Sequence, residues 1–260
     1  MKKRTVFIGA ILSLIPLGQP LIIKTGVVLS TNGFLLSVSE KVYAGDNSYY
    51  FDLAYDKAER GDYYGAISDY TKAIEISPND RQAYYNRGLA KRKIGDYYGA
   101  ISDYTKAIKI KPNYQSAYHN RGVAKEYLKD YEGALKDYEK AIAIDSDYHL
   151  SWSGIGNMKS KLGDYYEAIF ALTKAIEISP NYAFAYNNRG VAKRKLKDYY
   201  GAISDYTKAI EINPNYAIAY ENRGIAKELI GDLSGACSDW KQTVYLSPNA
   251  AAAKWVRDQC

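Results

Sequence analysis

Residues 81–114 read RQAYYNRGLAKRKIGDYYGAISDYTKAIKIKPNY, and the two halves of this stretch ask for two helices. In the second half, apolar residues fall at Tyr97, Ala100, Ile101, Tyr104, Ala107 and Ile108, the spacing of one helical face. The first half runs as a helix from Arg81 to about Ile94. Gly95 permits the left-handed turn that ends it. Asp96 then offers a side-chain oxygen to the free amides of the second helix. Pro112 cannot continue that helix, and Asn113 can cap the next.

The stretch recurs along the chain. Pro78, Pro112, Pro180, Pro214 and Pro248 stand 34 residues or twice 34 apart, and the missing beat falls at Ser146. Six units follow in register: 47–80, 81–114, 115–148, 149–182, 183–216 and 217–250. Each carries an aspartate at the Asp96 place, namely Asp62, Asp96, Asp130, Asp164, Asp198 and Asp232. Each also carries alanine at the Ala100 place. The Gly88 place is glycine in every unit but the first, which has Ala54. Small residues let two helices approach, and Tyr104, Tyr138, Tyr206 and Trp240 fill the space beside them. At 47% hydrophobic the chain has ample core material, and a repeat array buries it only between neighbours.

The unit resembles the tetratricopeptide repeat (TPR). Tyr84, Gly88, Tyr97, Ala100, Tyr104, Ala107 and Pro112 occupy that family's signature places in a 34-residue frame. The resemblance implies an all-α fold: a right-handed TPR superhelix (α-solenoid) of six helix-turn-helix repeats, with first helices lining a concave groove. It also implies a non-catalytic scaffold that binds a protein or peptide partner, either an extended peptide or a partner helix. Positions that the family turns inward give the groove Phe51, Tyr55, Tyr85, Leu89, Val123, Tyr127, Phe184, Val191 and Ile225, with Arg92, Lys93, Lys161, Arg194 and Lys195 along the rim. Some TPR domains clamp a C-terminal carboxylate with a lysine at the fifth place of the unit. The fifth places here are Phe51, Tyr85, His119, Ser153, Asn187 and Glu221, so that activity is not carried over.

Two features depart from the usual pattern. Four units have arginine where the family has an apolar residue: Arg87, Arg121, Arg189 and Arg223. Sixteen residues on, each has an aspartate: Asp103, Asp137, Asp205 and Asp239. The fourth unit has Ile155 and Ala171 at these places, so charge and its absence switch together; only the first unit, with Leu53 and Asp69, breaks the pairing. This predicts a bidentate bridge between the two helices of one repeat. Lysine also recurs at Lys57, Lys91, Lys125, Lys159, Lys193 and Lys227, which reads as a solvated row whose stems cover helix surface.

The ends differ from the array. Residues 1–44 begin with Lys2, Lys3 and Arg4, continue as apolar stretches, and close with Val42-Tyr43-Ala44. They are expected to be an export signal cleaved after Ala44, which would place the array in a periplasm, lumen or secreted space. The alternative is an uncleaved membrane anchor near residues 5–23, and then a membrane-tethered assembly factor. Residues 251–260 are expected to form a capping helix over the last repeat. Cys237 and Cys260 lie almost equally far from the turn at Pro248, so antiparallel helices bring them level for a disulfide. Two separately packed thiols are the other possibility.

Other chemistries find little support. The net charge of +6 falls mainly on residues 1–44, which hold five of the 35 basic residues and one of the 29 acidic ones. The remaining 30 against 28 give +2, too balanced for a nucleic-acid surface. Two cysteines and two histidines leave no zinc cage and no metal site, and no cofactor is expected. His119 reads as an ordinary groove residue.

Overall fold

A computed structural model describes residues 47–248 and 250–260; the leader-like segment 1–44, with its expected cleavage point, lies outside the described residues. The described chain forms thirteen α-helices and no strand. The first helices of the repeats are α1 (Asn47–Glu59), α3 (Arg81–Lys93), α5 (Gln115–Tyr127), α7 (His149–Leu162), α9 (Ala183–Lys195) and α11 (Ala217–Leu229). The second helices are α2 (Tyr63–Ile76), α4 (Tyr97–Ile110), α6 (Tyr131–Ile144), α8 (Tyr165–Ile178), α10 (Tyr199–Ile212) and α12 (Leu233–Leu246). Helix α13 (Ala250–Gln259) closes the array. No described helix is long and apolar enough to cross a membrane.

Each helix packs against the next in sequence, and successive first helices also touch one another. No pair of successive second helices packs comparably. The first helices therefore crowd along the inside of a curved stack, and the second helices spread along its outside.

In repeats two, three, five and six the core is an aromatic laid over a glycine; the fourth has Leu172 over Gly156, and the first has Tyr70 beside Ala54. Tyr104 is fully buried, and a Cβ added at Gly88 would lie 2.7 Å from its Cε1. Tyr138 over Gly122 and Tyr206 over Gly190 repeat the arrangement. Burying each ring contributes roughly 1.5–3 kcal/mol, which the close approach makes available.

The turns follow the sequence with two exceptions. Gly61, Gly95, Gly163 and Gly231 take positive φ at the end of their first helices; Lys129 and Lys197 do so where glycine is missing. Asp62, Asp96, Asp130, Asp198 and Asp232 cap their second helices by accepting from a glycine amide three residues on. A Cβ on that glycine would collide with the aspartate, which explains the fourth repeat: it has Glu167 there, and Asp164 makes no capping bond. The expectation that Asn113 caps a first helix fails. Tyr114 occupies the N-cap without a side-chain bond, as do Tyr148, Tyr182 and Tyr216. These rings are used in packing instead; Tyr114 lies 5.0 Å from the Tyr85 ring.

The charged residues form a stitch that crosses two repeats. Arg87 donates to Asp103 from Nε (2.9 Å) and Nη2 (2.7 Å), and its Nη1 donates to Thr71 Oγ1 of the preceding repeat (3.0 Å). Its guanidinium also covers the Tyr84 ring. Arg121, Arg189 and Arg223 repeat all of these contacts, with Thr105, Thr173 and Thr207 as the backward partners.

The lysine row is not a solvated face, contrary to the expectation from sequence. Lys91, Lys125, Lys193 and Lys227 each place Nζ within 2.9 Å of the same aspartate that holds the arginine. In the first repeat, Lys57 (2.6 Å) and Lys72 (3.3 Å) hold Asp69 without an arginine. The reason is burial. Asp103 is only 2% exposed, so its carboxylate needs several donors, and the lysine one turn beyond the arginine reaches it. Only Lys159 differs: Ala171 leaves it no such partner, and it pairs with Asp164 at 3.5 Å.

At the C-terminus, Cys237 and Cys260 are joined in a disulfide. Trp255 of α13 packs on Trp240 with ring centroids 5.3 Å apart, which covers the last aromatic core.

Candidate functional site

The concave face opens into a pocket of about 510 Å³ between α5, α7 and α9. Helix α5 contributes His119, Val123, Glu126 and Tyr127; α7 contributes Leu150, Ser153, Gly154, Asn157 and Lys161; Phe184 comes from α9. Tyr131, Tyr138 and Tyr182 complete the walls, and Lys129 stands at the rim.

The fourth repeat makes the space. Asn86, Asn120, Asn188 and Asn222 occupy one place in their repeats, and Gly154 replaces them. Asn120 donates to the Tyr85 hydroxyl across one repeat step (2.9 Å), and Asn222 donates to Asn187 in the same way (3.0 Å). Gly154 has no side chain for such a bond. The Tyr138 ring lies where its Cβ would be, 2.8 Å away. His119 pairs instead with Ser151, its Nδ1 3.0 Å from Oγ.

Charge in the pocket is buried but satisfied. Glu126 Oε1 accepts from Asn157 Nδ2 (2.6 Å), and Oε2 accepts from the Tyr138 hydroxyl (3.3 Å). Burial raises the Glu126 pKa, against the opposing pull of Lys161 and the two donors. Burial lowers the His119 pKa to about 4, helped by Arg92 and His149. The imidazole is therefore neutral near pH 7 and packs between the Tyr138 and Tyr148 rings.

Of the groove residues expected from sequence, Val123, Tyr127, Phe184 and Lys161 meet at this pocket. Tyr55 stands exposed on α1, and Ile225 is half-buried on α11. Phe51, Tyr85, Leu89 and Val191 pack against the inner core clusters, so they serve the repeats as much as the groove. Arg92 and Arg194 are half-buried, each against a buried tyrosine hydroxyl, that of Tyr104 and of Tyr206. Lys93 and Lys195 are exposed. Sequence reasoning missed Glu126, Asn157, Gly154 and Leu150. The signal available was the break in pattern at Gly154 and Asn157, where other repeats have asparagine and an apolar residue or tyrosine.

A stack of helix pairs with a concave pocket and repeated structural ion pairs is the architecture of a protein-interaction scaffold. The sequence profile of the tetratricopeptide repeat matches residues 82–114, 116–148, 149–182 and 183–216, and a further TPR profile matches residues 54–95. The chain belongs to the TPR family, and its fold is the right-handed TPR superhelix. Members of this family are in general interaction scaffolds without catalysis of their own. No curated protein matches the chain. Among solved structures it is similar to MamA, at 26% identity over 66% of this chain and 93% of that one, with a TM-score of 0.59. It is also similar to YrrB, described as a TPR protein with an unusual peptide-binding site (22% identity, 72% and 97% covered, TM-score 0.58). A third similar structure is PilW, described as a type IV pilus biogenesis factor (18% identity, 81% and 98% covered, TM-score 0.73).

Proposed function

We propose that the array holds an extended peptide or partner helix in its concave groove, anchored at the pocket between α5, α7 and α9. The observation that carries this reading is the pocket itself. It is lined by Val123, Tyr127, Leu150 and Phe184, and it lies where the repeat pattern breaks. An apolar concavity with a few polar groups suits an anchoring side chain. A peptide-binding site has been described for YrrB, which shares the fold. Pull-down with residues 45–260 should recover a partner that Phe184→Ala loses; equal recovery by both proteins overturns the groove assignment.

The array works outside the reducing cytosol in this reading, after removal of residues 1–44. The Cys237–Cys260 disulfide supports it, because such bonds persist in oxidising compartments. Mass spectrometry of the native protein should find Gly45 at the N-terminus. A retained leader in membrane fractions would instead make the same groove that of a membrane-tethered assembly factor.

A further inference from the structure

The cations of the groove are unevenly placed, and a distinct set of them makes no ion pair among the described residues. The arginine stitch and the lysine row are consumed by the buried aspartates. Just beyond the row on the first helices, at the Arg92 and Lys93 places, repeats two to five carry Arg92, Lys93, Lys161, Arg194 and Lys195. The one acid at these places is Glu126. Among the described residues none of the five cations makes an ion pair, although Lys161 rests over the Tyr131 ring. Glu126 is shared rather than free for them: its two oxygens already accept from Asn157 and Tyr138, and of the five cations Lys161 is the one whose charge acts on it. Repeats one and six reverse the sign at the same places, with Glu59 and Glu228. The middle of the groove is thus a basic strip with acidic ends, inside an array whose total charge is nearly balanced.

Two of the cations are poised differently from the rest. Arg92 lies beside the hydroxyl of Tyr104, and Arg194 beside that of Tyr206, the equivalent aromatic three repeats on. In both, the guanidinium is anchored on that hydroxyl, and among the described residues no carboxylate pairs with it. Both arginines are only half-buried, so guanidinium donors remain for a ligand, and a carboxylate is the acceptor whose geometry fits them. The apolar pocket lies between the helices that carry them, α3 and α9.

We propose that the groove selects an acidic extended polypeptide segment. Its carboxylates sit at Arg92 and Arg194, and its single large apolar side chain enters the pocket between α5, α7 and α9. This rests on the groove reading above and adds the chemistry of the occupant. The ends of the segment are neutral or basic, because Glu59 and Glu228 repel further acids.

Fluorescence anisotropy tests it, with the folded array and short labelled probes. The reference probe alternates glutamate and serine around one central tryptophan. A second replaces every glutamate by glutamine, a third replaces the tryptophan by glycine, and a fourth is single-stranded oligothymidine. Only the reference probe should bind well, and Arg92→Gln and Arg194→Gln should each weaken it about tenfold and flatten its salt dependence. Thermal melts of the variants, near wild type, separate this loss from misfolding. If the glutamine probe or the oligonucleotide binds as tightly, or if no probe binds, the acidic occupant is refuted. If the glutamine probe binds equally and Phe184→Ala still abolishes it, the groove reading survives alone. If Phe184→Ala leaves the reference probe untouched, the groove reading falls instead.

Discussion

Repeat three and repeat four are neighbours that fill the same place with opposite chemistry. In the third, Arg121 joins Thr105 behind it to Asp137 ahead, and Lys125 completes the aspartate. In the fourth, the corresponding residues are Glu139, Ile155 and Ala171, and Lys159 has turned to Asp164. Ile155 and Ala171 are buried against Tyr138 and Met158. The buried aspartate and its cations come and go together, with Lys57 and Lys72 replacing the arginine at Asp69 in the first repeat, because a buried charge without its partner costs more than the pair contributes. The groove side of the fourth repeat is depleted as well. Ser153 and Gly154 replace larger residues there, and the pocket occupies the space they leave. The regular repeats carry the stack, and the irregular repeat carries the pocket that is the candidate site.

The largest test of this contrast removes one member of the polar set. Asp137→Ala strands Arg121 and Lys125 together, and urea unfolding should report a loss of about 3–5 kcal/mol. Adding Arg121→Ala should recover part of it; strictly additive losses would break the pairing. The converse change, Ala171→Asp in the fourth repeat, adds a buried carboxylate with no arginine and should cost roughly 3 kcal/mol. Adding Ile155→Arg and Glu139→Thr rebuilds the stitch and should restore most of that stability.

Next in size is acid sensitivity, which the pocket repeats should concentrate. His119 has a folded pKa near 4, below its ordinary value of about 6.5, so the unfolded chain binds the proton first. Its contribution is fully present above the ordinary value and is lost as pH falls towards 4, by up to about 3 kcal/mol. Glu126 acts in the opposite sense, since its raised pKa means that acidification relieves a cost. His119→Gln should therefore lose less stability than wild type between neutral pH and the low end of that window. Parallel curves for the two proteins would remove His119 from the account. The smallest effect belongs to the backward link of the stitch. Thr105→Val deletes one bond to Arg121 and should cost about 1 kcal/mol in the same unfolding assay.

The stack was legible in the sequence because each of its parts repeats. Pro112, Gly88, Ala100 and Tyr104 announce a period, and the joint loss of arginine and aspartate in the fourth unit announces a pair. The threonine step was not read, since Thr71, Thr105, Thr173 and Thr207 sit 16 residues before their arginines, in another repeat. The lysines look solvated in sequence, because a periodic exposed row and a periodic buried partner share one pattern. Only the burial of Asp103 and its equivalents shows that one carboxylate requires both cations. The site was least legible of all. It consists of residues that do not repeat, such as Glu126, Gly154 and Asn157, and only their convergence in space distinguishes them from drift.

Hydrogen exchange of the array, with and without the acidic tryptophan probe, tests most directly whether the irregular repeat carries the site. New protection should concentrate on Gln115–Tyr127, His149–Leu162 and Ala183–Lys195, with a smaller rise at the Arg92 end of Arg81–Lys93, and Asn47–Glu59 should exchange unchanged. Protection spread evenly over all six repeats, or confined to the outer helices, would contradict the account.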